Sequence, residues 1–137
     1  MPDLGFGAYP DDFERARKRI SEGWGLAWAP DMQDWDLCNA DARLLPQIPH
    51  ALQEQLYSPA ERFAIVELAL ASMDLRVEAT GEFGVEWEAL EKELVGNPDI
   101  YWAPIHYWAG PALKGEEGWP ISSRMADIYR GLPEAWK

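Results

Sequence analysis

Cysteine is almost absent: Cys38 is the only one in 137 residues. No intramolecular disulfide can form, and no zinc site built on several thiolates. Histidine is scarce too. His50 and His106 stand far apart, so no pair has the i, i+4 spacing that puts two imidazoles on one helical face. Cations are few: 12 Lys and Arg stand against 24 Asp and Glu, a net charge of −12. That balance disfavours nucleic acid as a partner, because holding phosphates takes cations. Long apolar runs are missing as well. The nearest, Phe63 to Leu75, is broken by Glu67, Ser72 and Asp74, so no membrane span is expected. The stretch Met1-Pro2-Asp3-Leu4-Gly5 lacks the basic and apolar regions of a secretory signal. These absences predict a cytoplasmic protein.

Catalytic and cofactor signatures are missing in the same way. Cys38 has no neighbouring base in sequence, and there is no Gly-x-Ser-x-Gly elbow. Gly5-Phe6-Gly7 and Gly23-Trp24-Gly25 lack the lysine and the strand-to-helix setting of a phosphate loop. Asp34-Trp35-Asp36 begins like a calcium loop. Asn39, however, stands where the turn glycine belongs, and Leu45 where the bidentate glutamate belongs. No cofactor, no metal site and no enzymatic activity are expected.

What is present is enough apolar material for one core. Hydrophobic residues make up 47% of the chain, and eight tryptophans are among them. A single helical domain over residues 1–137 is the expectation. The segment 11–22 predicts an amphipathic helix capped by Asp11, with Phe13, Ala16 and Ile20 on one face. Arg15, Arg17, Lys18 and Arg19 line the rest of that helix. Residues 24–49 read as irregular and aromatic-acidic, with Pro30, Pro46 and Pro49 against long regular elements. A turn or two of helix is expected over 50–57.

Ser58-Pro59-Ala60-Glu61 supplies an N-cap, a proline in the first turn and a capping-box glutamate. A helix apolar on most sides follows to Gly81. A helix of that kind needs neighbours all round, which predicts that 58–80 is the centre of the domain. A helix over 85–95 is expected with Val85, Trp87, Leu90 and Leu94 inward and Glu82, Glu86, Glu88, Glu91 and Glu93 facing water. Residues 98–111, with Tyr101-Trp102-Ala103-Pro104 and Tyr107-Trp108-Ala109-Gly110-Pro111, read as an aromatic wedge over that centre. A final helix is expected after Ser122 or Ser123, with Met125, Ile128 and Tyr129 inward. The predicted fold is thus all-α, about five helices with long Trp- and Pro-rich loops. Its alternative is α+β with short strands.

Two acidic constellations are candidate partner-binding sites. One is the loop bearing Asp31, Asp34, Trp35, Asp36 and Asp41; the other is the glutamate face with Glu82, Glu86 and Glu93. Trp102 and Trp108 are candidate anchors beside them, since Trp and Tyr serve at the buried centres of interfaces. Residues 58–97 alone carry a net charge of −6. A focused negative patch accelerates association with a cationic protein and rejects like-charged competitors. The expected function is a non-enzymatic acidic binding module, a stoichiometric inhibitor that occludes a basic protein. Small size, acidity, tryptophan content and the lack of a catalytic signature are similar in general character to immunity proteins and antitoxins. Two alternatives stand beside it. One is a glycan-binding or glycan-hydrolysing protein using 24–41, with Glu86 or Glu88 completing a carboxylate pair. The other is an accessory subunit of a complex.

Overall fold

The computed structural model describes residues 10–30, 32–53 and 56–137. Among them are seven α-helices, two 3₁₀ turns and no strand, so the all-α expectation holds and the α+β alternative does not. Asp31, a candidate binding residue, lies outside the described residues.

Helix α1 spans Pro10–Trp24 and starts a residue ahead of its expected cap. Ala16 and Ile20 are buried and Phe13 packs beside them, following the 3–4 spacing of an amphipathic helix. The segment expected to be irregular holds three short elements: α2 (Trp35–Asn39), a 3₁₀ turn (Ala42–Gln47) and α3 (Ile48–Gln53). Elements this short do not form alone. Tertiary anchors hold them. Trp35 is 1% exposed, and its indole N–H donates to Ser21 Oγ at 2.8 Å. Asp41 accepts the Arg43 N–H to cap the 3₁₀ turn, and its own N–H donates to the buried Ser72 hydroxyl of α4.

Helix α4 spans Pro59–Thr80, and its ends follow their chemistry. The Ser58 hydroxyl accepts the Glu61 N–H, and the Glu61 carboxylate accepts the Ser58 N–H, a complete capping box. Gly81 closes the helix at φ 74°, a conformation that strains residues with a Cβ, and donates to Val77 O. Phe63 through Val66 and Leu68 through Met73 are buried, and α1, α2, the 3₁₀ turn, α3, α5 and α6 all pack on this helix.

Helix α5 spans Glu86–Gly96 and α6 spans Pro98–Leu113. The latter corrects the wedge reading: it is one helix running through Pro104 and Pro111. Each internal proline removes an N–H, which costs the carbonyl four residues earlier its partner. The inner face offsets that loss. Tyr101, Pro104, Ile105, Trp108 and Ala109 are buried at the spacing of a single helical stripe. This stripe packs on α7 (Ser122–Arg130), where Met125, Ala126 and Ile128 are buried. The expected serine cap of α7 is absent. Ile121 precedes the helix, and the Ser122 hydroxyl accepts the Trp119 N–H instead. A last 3₁₀ turn, Glu134–Trp136, folds back onto α6. Trp136 O accepts the Trp102 indole N–H at 2.9 Å, and His106 Nε2 lies 3.2 Å from the same oxygen.

Candidate functional site

Four helices meet around a cleft of about 300 Å³. Helix α1 contributes Arg17, the start of α2 contributes Asp34, Asp36 and Leu37, α4 contributes Phe63 and Glu67, and α6 contributes Ala103, Pro104, Tyr107 and Trp108. Asp34 immediately precedes α2 with φ 53°, the one described residue other than glycine in the left-handed region. Aspartate tolerates that conformation better than most residues. Its side chain does not cap α2, so the carboxylate remains available at the cleft.

On the floor, one nitrogen of Arg17, Nη2, donates to both oxygens of Glu67 at 3.0 and 3.2 Å. The guanidinium carbon lies 6.0 Å from the ring centre of buried Trp35, at the outer reach of a cation–π contact. Arg17 Nε is buried without a hydrogen-bond partner. Burial pushes the Glu67 carboxyl up to about 7; Arg17 opposes the shift and neighbouring Asp36 reinforces it. Burial also raises Asp36, against the pull of backbone N–H groups and Arg17.

The wall toward solvent is aromatic. Tyr107 is 54% exposed and stacks on Trp119 with centroids 4.9 Å apart. Trp119 in turn meets buried Trp108 edge-on at 5.2 Å. With exposed Leu37 across the opening, apolar surface faces water beside carboxylates.

The candidate residues of the sequence reading divide sharply. Asp34, Asp36 and Trp108 come together in this cleft. Trp35 does not face a partner; it is a buried anchor. Asp41 is engaged by Arg43 through three side-chain contacts. Trp102 is half-buried, and its indole N–H is used by Trp136 O. The glutamate face is corrected in its inner half. Glu86 and Glu93 are only 8% and 9% exposed, because Arg76 and Arg62 of α4 pair with them at 2.8 and 2.5 Å. Glu93 also accepts the Tyr101 hydroxyl at 2.6 Å. Hence Glu86 does not stand open to complete a carboxylate pair on a sugar. Glu82, Glu88 and Glu91 do face water, as expected. Val85, expected inward, is 87% exposed.

Arg17 and Glu67 were missed as site residues. A signal for both exists in the spacing. Arg17 lies four residues after Phe13 and three before Ile20, and Glu67 four after Phe63. Each is a charged residue at an apolar-face position, which needs a partner inside.

Among the described residues no cluster of His, Cys, Asp and Glu is arranged to hold a metal, and no helix is long and apolar enough to cross a membrane. Comparison with known protein families, with curated proteins and with solved structures returns no match.

Proposed function

We propose that the protein is a non-enzymatic acidic binding module, a stoichiometric inhibitor that occludes a basic protein, and that it docks through the cleft between α1, α2, α4 and α6. One observation carries this reading. Asp34 and Asp36 from the acidic loop share a single cleft with Tyr107 and Trp108 from α6. Carboxylates beside the exposed Tyr107 ring form the chemistry of a hot spot for a cationic protein: charge guides the encounter, and the ring is buried at its centre. The rest of the acidic surface supports the approach. Seven of the eight arginines are paired internally, and Arg124 lies over the Phe83 ring at 3.9 Å. Exposed Glu82, Glu88 and Glu91 are left with no ion pair among the described residues, and the surface field is negative.

The test is affinity capture from the native host's lysate in parallel with two variants. Wild-type protein is expected to retain one basic protein in near-equal amount. Retention should persist through a wash at about 0.5 M salt, where the Debye length is roughly 4 Å and apolar contacts carry the complex. The cleft variant Asp36→Asn/Tyr107→Ala should lose it, while Glu88→Gln/Glu91→Gln keeps it. With the purified pair, the on-rate should fall steeply with salt and the off-rate much less. A partner retained equally by the cleft variant, or an affinity indifferent to salt, overturns the reading.

A further inference from the structure

We infer that the cleft receives one guanidinium group, the tip of an arginine side chain of the partner, seated against Asp36 and Glu67 and walled by Tyr107 and Trp108. The inference rests on the binding reading above and narrows it to one residue type. The charge count of the cleft is its first support. Among the described residues, three carboxylates (Asp34, Asp36 and Glu67) line it with one cation, Arg17. Arg17 spends one nitrogen on Glu67, and its guanidinium carbon lies 6.0 Å from the centre of the Trp35 ring. A second cation would complete the pairing that Arg17 leaves unfinished.

Shape is the second support. A cleft of about 300 Å³ sits at the lower end of the range of roughly 300–1,000 Å³ for ligand pockets. That suits one side chain rather than a folded segment. Exposed Leu37 and Tyr107 can flank the aliphatic stem, and Phe63 and Pro104 add apolar surface to the lining. Among cations, guanidinium fits best. It is weakly hydrated, lies flat on aromatic faces and offers several donors to more than one carboxylate at once.

Occupation has a proton consequence. Glu67 is acted on by Arg17 from α1 and Asp36 from α2, and Asp34 before α2 and Tyr107 from α6 line the same cleft. Burial holds Glu67 at about 7 in the free protein. A guanidinium beside it favours the ionised form, so binding releases a proton and tightens as pH rises. For one group titrating at about 7, the affinity should increase about tenfold from about pH 6 to about pH 8.

The experiment is an amide NMR titration of the whole chain with Nα-acetyl-arginine methylamide and with its neutral citrulline counterpart. The arginine probe is expected to give saturable shifts confined to amides around the cleft, stronger at the higher pH, and the citrulline probe none. In Glu67→Gln, whose dispersed spectrum serves as the check on folding, binding should weaken to about the wild type's low-pH affinity and lose its pH dependence. Equal responses to the two probes, shifts centred on Glu82 to Glu91, or an affinity of the wild type that ignores pH would each overturn the inference. The two readings fail separately. If the cleft variant loses a captured partner but the arginine probe does not bind, docking stands and the guanidinium seat falls. If the probe binds as expected and no basic partner exists, the seat stands and the inhibitor reading falls.

Discussion

Between α4 and α5, Glu86 and Glu93 each face an arginine of their own, Arg76 and Arg62. In the cleft between α1, α2, α4 and α6, Asp36 and Glu67 share Arg17, and Asp34 lines the same cleft. The consequences for proton affinity are opposite in sign. Hydrogen bonding from Arg76 holds Glu86 below the usual carboxylate range, whereas burial lifts Asp36 and carries Glu67 to about 7. The carboxylates of one acidic chain thus serve two ends. Where pairing is complete, the charge clamps two helices and is invisible from outside. Where it is incomplete, the charge remains available to a partner. The acidity of the sequence as a whole does not distinguish these cases.

The largest effect is expected from breaking a completed pair. Arg62→Ala leaves Glu93 buried beside Tyr101 without its cation, and removing one partner of a buried pair should cost about 3 kcal/mol in urea unfolding. Retention of wild-type stability would mean the α4–α5 pairs are not structural clamps. Gly84→Ala attacks the second pair indirectly. Gly84 has φ 77°, and an added Cβ would fall on the Arg76 guanidinium that holds Glu86. Backbone strain together with displacement of Arg76 should cost about 2 kcal/mol, with an unfolding midpoint lowered accordingly.

Glu67→Gln should act with the opposite sign. The folded-state value of Glu67 lies above its ordinary 4.5, so the native state holds its proton more tightly than the unfolded chain does. This group's contribution is therefore fully present below about 4.5 and is lost as pH rises through about 7. Glutamine mimics the protonated side chain, so the variant's gain on the wild type should be roughly 2–3 kcal/mol larger at about pH 8 than at about pH 5. A stability difference that does not change between those conditions would count against the strained carboxylate. Glu86, held low by Arg76, works the other way: its contribution is present above the ordinary carboxylate value and is lost as pH falls through its lowered one. The smallest effect belongs to the exposed half of the glutamate face. Glu88→Gln/Glu91→Gln should change unfolding free energy by no more than about 0.5 kcal/mol.

Local chemistry was legible where it is self-contained. Ser58, Pro59 and Glu61 start α4 where their spacing places it, and Gly81 ends it. The parts that were not legible depend on distant residues. The inward turn of Glu86 and Glu93 needs Arg76 and Arg62 from another helix, although the glutamates' i, i+7 spacing on either side of buried Leu90 marks an inner face. Helix α6 was hidden by its prolines and by a repeat of aromatic pairs. Its stripe of Tyr101, Ile105 and Trp108 shows only at helical spacing. In the cleft, the acidic loop and Trp108 were readable as candidates separately. Their convergence, and the pair Arg17–Glu67 beneath them, come from packing α1 and α6 on α4.

The most direct test is a ¹³C carboxyl NMR titration that follows Glu67, Asp36 and Glu86 in one sample. The account predicts that Glu67 titrates at about 7, with Asp36 above the ordinary aspartate value and Glu86 below the ordinary glutamate value. If Glu67 instead titrates below its ordinary 4.5, as Glu86 does, the cleft is as fully paired as the α4–α5 interface and its claim to an unsatisfied charge is contradicted.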